Sequence, residues 1–175
     1  MWSRLRNWRN TVAGPPEIPE GSRGVSTVTR RVQVHNRQAW RQLPGELAAT
    51  LERCGEAALG LLEERYLARV KLPGLVSVSL IDDPEIQRVH TQFMDNPDPT
   101  DVITFPYGEE GDVLISVETA ARQAEQLGAS FEREIALYLI HGLLHLAGYD
   151  DTTPAAREEM ERLQESLLTK VLGSP

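Results

Sequence analysis

The chain has 175 residues with 41% apolar side chains, enough for one domain with its own core, and its single cysteine, Cys54, excludes an intramolecular disulfide and a cysteine-based zinc ribbon. The net charge of −8 argues against a generic nucleic-acid binder that works by neutralising phosphate. No stretch approaches the roughly 18–20 apolar residues of a membrane span, and the basic start MWSRLRNWRN is not followed by the apolar run of a signal peptide, so an unexported, cytoplasmic protein is expected.

Residues 1–24 read as a flexible basic extension, because AGPPEIPEGSRG is a Pro/Gly-rich linker with little to bury. Ahead of it Trp2, Leu5, Trp8 and Val12 could line one side of a short basic helix suited to a membrane surface or a ribonucleoprotein; a disordered tail is the plainer reading. Residues 1–41 carry eight arginines against Glu17 and Glu20, a net +6, which leaves −14 on residues 42–175. A polyanion would meet the N-terminal arm and first strand first.

The domain is expected over 25–175. VTRRVQV puts Val28, Val32 and Val34 on one side of a strand, and LVSVSLI does the same with Val76, Val78 and Leu80. Between them Leu47, Leu51, Cys54, Ala58 and Leu61 recur at helical spacing, which makes Cys54 a buried hydrophobe. Asp83 and Pro84 read as the N-cap and first-turn pair of a helix that buries Ile86, Val89 and Phe93. DVITF and DVLISV form a hairpin-like pair whose continuous apolar runs suit strands covered on both faces near the centre of the sheet. Ser116 opens a helix that Gly128 stops, Ser130 caps the longest apolar helix with Glu132 and Glu134 in its first turn, and Thr153-Pro154 opens a last one burying Met160, Leu163 and Leu167. The expected fold is a single layered α+β domain: a mixed, mostly four-stranded sheet flanked by helices, with a buried central helix.

That helix carries the chemistry. In HGLLHLAGYDD, His141 and His145 lie one turn apart on one face, a spacing that lets two imidazoles converge on one ion at about 2.0–2.1 Å. Gly142 lets another backbone or a substrate come close, and Gly148 supplies the left-handed residue whose turn folds 149–151 back toward the histidines. Asp151 is then the third ligand of a divalent metal site with an open position. Against this, the histidines could be core residues bonded to carbonyls and Asp151 a helix cap; Thr153-Pro154 is the better cap, which leaves Asp151 without that task. Gly142 stands where the general-base glutamate of an HExxH peptidase would be, which removes that mechanism.

HGLLHLAGYDD resembles the H-G-x-L-H-L-x-G-Y-D-H signature of the YbeY-type rRNA maturation factors, metal-dependent single-strand endoribonucleases. PTDVITFP at 99–106 resembles that family's P-T-D-V-L-S-F-P, GDVLIS at 111–116 its G-D-I-x-I-S, and Glu134 stands at the usual distance before the histidines. The resemblance implies a mixed sheet flanked by helices and a zinc ion, with His141 and His145 matching two of the three signature histidines and Asp151 in the place of the third. Two further departures are Val89-His90, where the family usually has Asn, and Phe93-Met94, where many members have Arg after the aromatic residue. A carboxylate in place of an imidazole lowers the site's formal charge by one, weakens its pull on water and phosphate, and moves metal preference toward ions that favour oxygen. A missing Arg removes a phosphate clamp, part of whose work His90 could do if it is not simply packed.

The leading expectation is a metal-dependent single-strand endoribonuclease in rRNA processing and ribosome maturation, with ribosomal RNA and ribosomal proteins as partners. The rival reading is a ribosome-assembly factor that cuts nothing, its metal site structural or degenerate; a metallohydrolase with a non-nucleic substrate is the third. Asp101 and Asp112 lie at strand ends near a possible cleft but read more readily as turn or supporting residues, so no general base is named.

Overall fold

The computed structural model describes residues 30–65, 67–95 and 100–173. The expectations for the 1–24 extension, for Val28 and for the Met94 side chain lie outside the described residues and side chains. Strand β1 (Arg31–Asn36) leads through helix α1 (Leu47–Glu64) to β2 (Leu75–Ile81), α2 (Asp83–Met94), the hairpin β3 (Val102–Pro106) and β4 (Glu110–Ser116), and then α3 (Val117–Leu127), α4 (Phe131–Leu146) and α5 (Pro154–Leu172). The sheet order is β1-β2-β4-β3. β1, β2 and β4 run parallel and β3 antiparallel to β4, so the sheet is mixed and four-stranded as the periodicity predicts.

Alternation along each strand splits the sheet into two unlike faces. The inner face is apolar: Val32, Val76, Val78, Leu80, Val113 and Ile115 are buried against α1 and α4 in one continuous core. α4 lies at its centre, contacting α1, α3, α5, β3 and β4, which is why FEREIALYLIHGLLHL is apolar on nearly every side after its first turn. Among the described residues the outer face carries only α2, over a smaller cluster of Ile81, Ile86, Val89, Ile103 and Phe105.

Cys54 is buried on α1, and burial pushes its thiol above the ordinary value. Three expectations need correction. β3 is covered on both faces, with Ile103 and Phe105 in the outer cluster and Val102 against the main core, yet it is an edge strand and only β4 of the hairpin is central. Phe93 is 38% exposed, because it sits in the last turn of α2 with its ring edge-on to Phe105 and not beneath it.

The third concerns α2. Its N-cap is Asp82, whose side chain accepts the Glu85 N–H at 3.1 Å; Asp83 stands one residue inside. That frees the Asp83 carboxylate to tie α2 to α3, accepting from Ser116 Oγ, from Thr119 Oγ1 at 2.9 Å and from Arg122 at 2.6 Å. Burial alone would raise its pKa, but these three donors outweigh burial and hold it below the usual value. Asp83→Ala is expected to cost about 1–2 kcal/mol, read from the urea midpoint at neutral pH. A depressed carboxylate stabilises fully above its unfolded value, near pH 4, and ceases to as pH falls through the folded value. Wild type and variant should therefore converge in acid.

The free edge of β1 has its own device. The Val32 and Val34 N–H groups point away from β2, and each is taken by a glutamate of α1, Glu56 Oε1 at 3.3 Å and Glu52 Oε1 at 2.9 Å.

Candidate metal centre

Local chemistry sets both ends of α4. Ser130 caps it, accepting the Arg133 N–H at 3.1 Å, with Glu132 and Glu134 in the first turn where the helix dipole favours them. At the far end Gly148, at φ +91°, makes the left-handed turn. The Tyr149 N–H reaches Leu144 O and the Gly148 N–H reaches His145 O, each at 3.0 Å, the paired bonds of a Schellman stop. Tyr149 then anchors the bend: it is buried, its hydroxyl donates to Leu67 O at 2.7 Å, and the Arg69 guanidinium lies 4.1 Å over its ring. Asp150 closes a tight turn by accepting from the backbone and hydroxyl of Thr152, and Thr153 caps α5 through the Ala156 N–H. Asp151 caps nothing and is turned toward α4.

Ligand atoms of His141, His145 and Asp151 lie within 4.8 Å of one another, a group that could hold a metal ion. His145 Nδ1 donates to the Tyr149 carbonyl at 3.0 Å, and His141 Nδ1 lies 2.9 Å from Gln164 Oε1 on α5. The carbonyl partner places the His145 ring proton on Nδ1. Burial, and then His141, hold the His145 pKa below the ordinary imidazole value, so His145 is neutral at neutral pH. The two Nε2 atoms face each other at 3.0 Å. Two imidazole nitrogens on one tetrahedral ion would stand about 3.3 Å apart, so the pair is close to the spacing an ion requires, and the donor set fits zinc or a harder divalent metal.

Gly142 lies between the histidines, and its sheet-facing side is the reason α4 sits so close. A Cβ there would stand 2.6 Å from Val113 Cγ1 and 3.2 Å from Thr104 Oγ1, below any real contact in the first case.

Asp101, Asp112 and His90 are not part of this group. Asp101 bonds the Val102 N–H and shares a cavity with Arg122, Glu134 and Tyr138. Asp112 is on the outer face of the sheet, its carboxyl raised by burial and then by Glu110. His90 is half-buried on α2.

Gln164 and Tyr138 went unread in the sequence, whereas Glu134 stood out only for its place in the first turn and its distance from the histidines. Gln164 falls among Met160, Leu167 and Leu168 on the buried side of α5, and a lone amide on an apolar stripe was the available signal. Glu134 and Tyr138 continue the histidine stripe toward the start of α4 at four- and three-residue steps. Both are buried, and burial raises both pKa values.

Among the described residues no helix is long and apolar enough to cross a membrane. Residues 33–172 match the family model described as "Endoribonuclease YbeY". Relatives of that name include one from Moorella thermoacetica, 35% identical over 79% of this chain and 95% of its own length. Another, from Aquifex aeolicus, is 39% identical over 70% and 84%. A third, from Myxococcus xanthus, is 41% identical over 59% of this chain but only 39% of its own length. The fold is similar to the solution structure of Thermotoga maritima TM1509, with a TM-score of 0.54 and 26% identity over 81% of this chain and 89% of that one. With most of its length matched by the family model and nearly the whole of some relatives covered, the chain belongs to the YbeY family.

Proposed function

We propose that this protein is a metal-dependent single-strand endoribonuclease acting in rRNA processing and ribosome maturation, with His141, His145 and Asp151 as the ligands of one divalent ion, zinc by their chemistry. The observation that carries this is the pair of Nε2 atoms held 3.0 Å apart beside a carboxylate, in a chain whose family model is named for endoribonuclease activity.

When bound, the ion supplies positive charge that polarises a phosphodiester and acidifies water. The protein supplies the rest. The Gln164 amide and the Tyr149 carbonyl fix the orientation of the two rings, so the ligands are positioned before the ion arrives. Three protein ligands leave an open position on a tetrahedral ion. The single buried cysteine accords with a reducing cytoplasm, and ribosomal RNA with its proteins is the partner this reading requires.

One observation favours the rival reading of a non-catalytic assembly factor: Asp151 in the third ligand place lowers the site's formal charge. Incubation of the purified protein with single-stranded rRNA fragments separates the two. The nuclease reading expects cleavage that stops with a chelator, returns with zinc and spares duplex RNA. A protein that retains zinc and cuts nothing would establish the assembly factor.

A further inference from the structure

The outer face of the sheet is unlike that of a strand layer meant only to pack. α2 covers one end of it, and the remainder is an open cleft of about 420 Å³ lined by His35, Arg37, Ser77, Ser79, Tyr107 and Asp112 among others. Strand register arranges these side chains in rows. One runs Gln33, Ser77, Asp112, Phe105 and the next His35, Ser79, Leu114, Ile103. Three kinds of chemistry follow across the sheet: basic groups at β1, small hydroxyls on β2, and aromatic rings at β3.

The aromatic end is exposed by design of the hairpin. Tyr107 is 54% exposed and stacked on the buried Phe105, with centroids 6.4 Å apart and planes 19° from parallel. Phe105 therefore fixes the plane of a ring whose other side is open to a flat ligand. The basic end is the alternating row Arg31, Gln33, His35 and Arg37, three of its four side chains basic, exposed on the outward side of β1 and just beyond it. Alternate residues on a strand are about 6.6 Å apart. In sequence this row ends residues 1–41, which carry a net +6, while residues 42–175 carry −14. Arg37 lies close enough to Asp112 to act against that acid's charge on the floor of the cleft.

We propose that this open sheet face is a platform for single-stranded RNA, with a base stacked on Tyr107, the serine floor and Asp112 taking polar edges or ribose hydroxyls, and phosphates along Arg31, His35 and Arg37. A protein partner would find a row of basic groups and a lone ring in place of a contiguous apolar patch, which fits it less well. The proposal rests on the ribonuclease reading for the identity of the ligand, and β3 joins the two sites: Thr104 faces Gly142 between the histidines, while Phe105 faces outward beneath Tyr107.

Binding is read by fluorescence anisotropy with a labelled single-stranded oligoribonucleotide and the full chain carrying His141→Ala, so that affinity is measured without cleavage. Tyr107→Ala should weaken binding roughly fivefold or more, as loss of one stacked base implies, and Tyr107→Phe should restore it. A 2-aminopurine base in the oligonucleotide should be quenched by the chain with Tyr107 and not by Tyr107→Ala. Arg37→Gln should flatten the salt dependence by about 0.7 in slope for one phosphate contact. Unchanged affinity in Tyr107→Ala, equal binding of duplex, or loss only of association with a ribosomal protein would overturn the proposal. Cleavage with Tyr107-independent binding removes the platform and keeps the nuclease; Tyr107-dependent binding without cleavage by the zinc-loaded wild type does the reverse.

Discussion

Replacing His141 with alanine is expected to give a folded chain that no longer retains a divalent ion and no longer cuts RNA. Loss of a supporting partner such as Gln164 lowers metal affinity about 10- to 100-fold in comparable sites, so loss of a ligand should exceed 100-fold, with cleavage falling in step. The fold should survive because the imidazole is only half-buried. The apo variant should lose about the worth of the hydrogen bond to Gln164 Oε1, about 1 kcal/mol. Added zinc should raise the melting temperature of wild type and leave that of the variant unchanged, since only a state that binds the ion gains from it. Metal content by mass spectrometry, melting curves and cleavage rates test the three parts separately. Undiminished cutting by His141→Ala would remove His141 from the chemistry.

The second large effect is expected at Gly142. Alanine is the better helix former by about 1 kcal/mol, yet its Cβ would meet Val113 Cγ1 at 2.6 Å. Overpacking of this kind costs about 1–3 kcal/mol, so Gly142→Ala should be destabilised on balance. Gly142→Leu, which must lift the helix from the sheet, should lose more than about 3 kcal/mol. Both histidines ride on that helix while Asp151 is held by the Tyr149 anchor and α5, so lifting α4 also separates the ligands. Urea midpoints and zinc affinity should fall together across Gly, Ala and Leu. A Gly142→Ala protein more stable than wild type would show that helix and sheet are not pressed together there.

What could be read from the sequence was whatever is decided within a few residues. Ser116, Ser130 and Thr153 cap the helices they were expected to cap, and Gly128 and Gly148 take the left-handed conformation that ends them. The proximity of Asp151 to the histidines was legible for the same reason, since a glycine-made bend just after an i, i+4 pair can fold the next few residues back toward it. What failed depends on distant neighbours. The apolar run of β3 does not say whether its cover comes from two strands or from two helices, and only the sheet order shows it at an edge. Asp82 and Asp83 are both competent caps. The choice falls to Asp82 because Asp83 is claimed by Ser116, Thr119 and Arg122, more than thirty residues away. Phe93 has helical spacing with Ile86 and Val89, but periodicity cannot report that its ring meets the Phe105 ring edge-on and stays 38% exposed. Gln164 needed a partner whose position in space the sequence does not give.

The two glutamates of α1 that hold the Val32 and Val34 amides have a consequence for the molecule in a crowded solution. A bare lateral strand is a template on which copies can zip into fibrils, and here two successive outward amides in the middle of that strand meet carboxylates of the same chain. Self-recruitment through this margin is blocked by two side chains, so concentrated preparations should stay dispersed unless Glu52 and Glu56 are removed together.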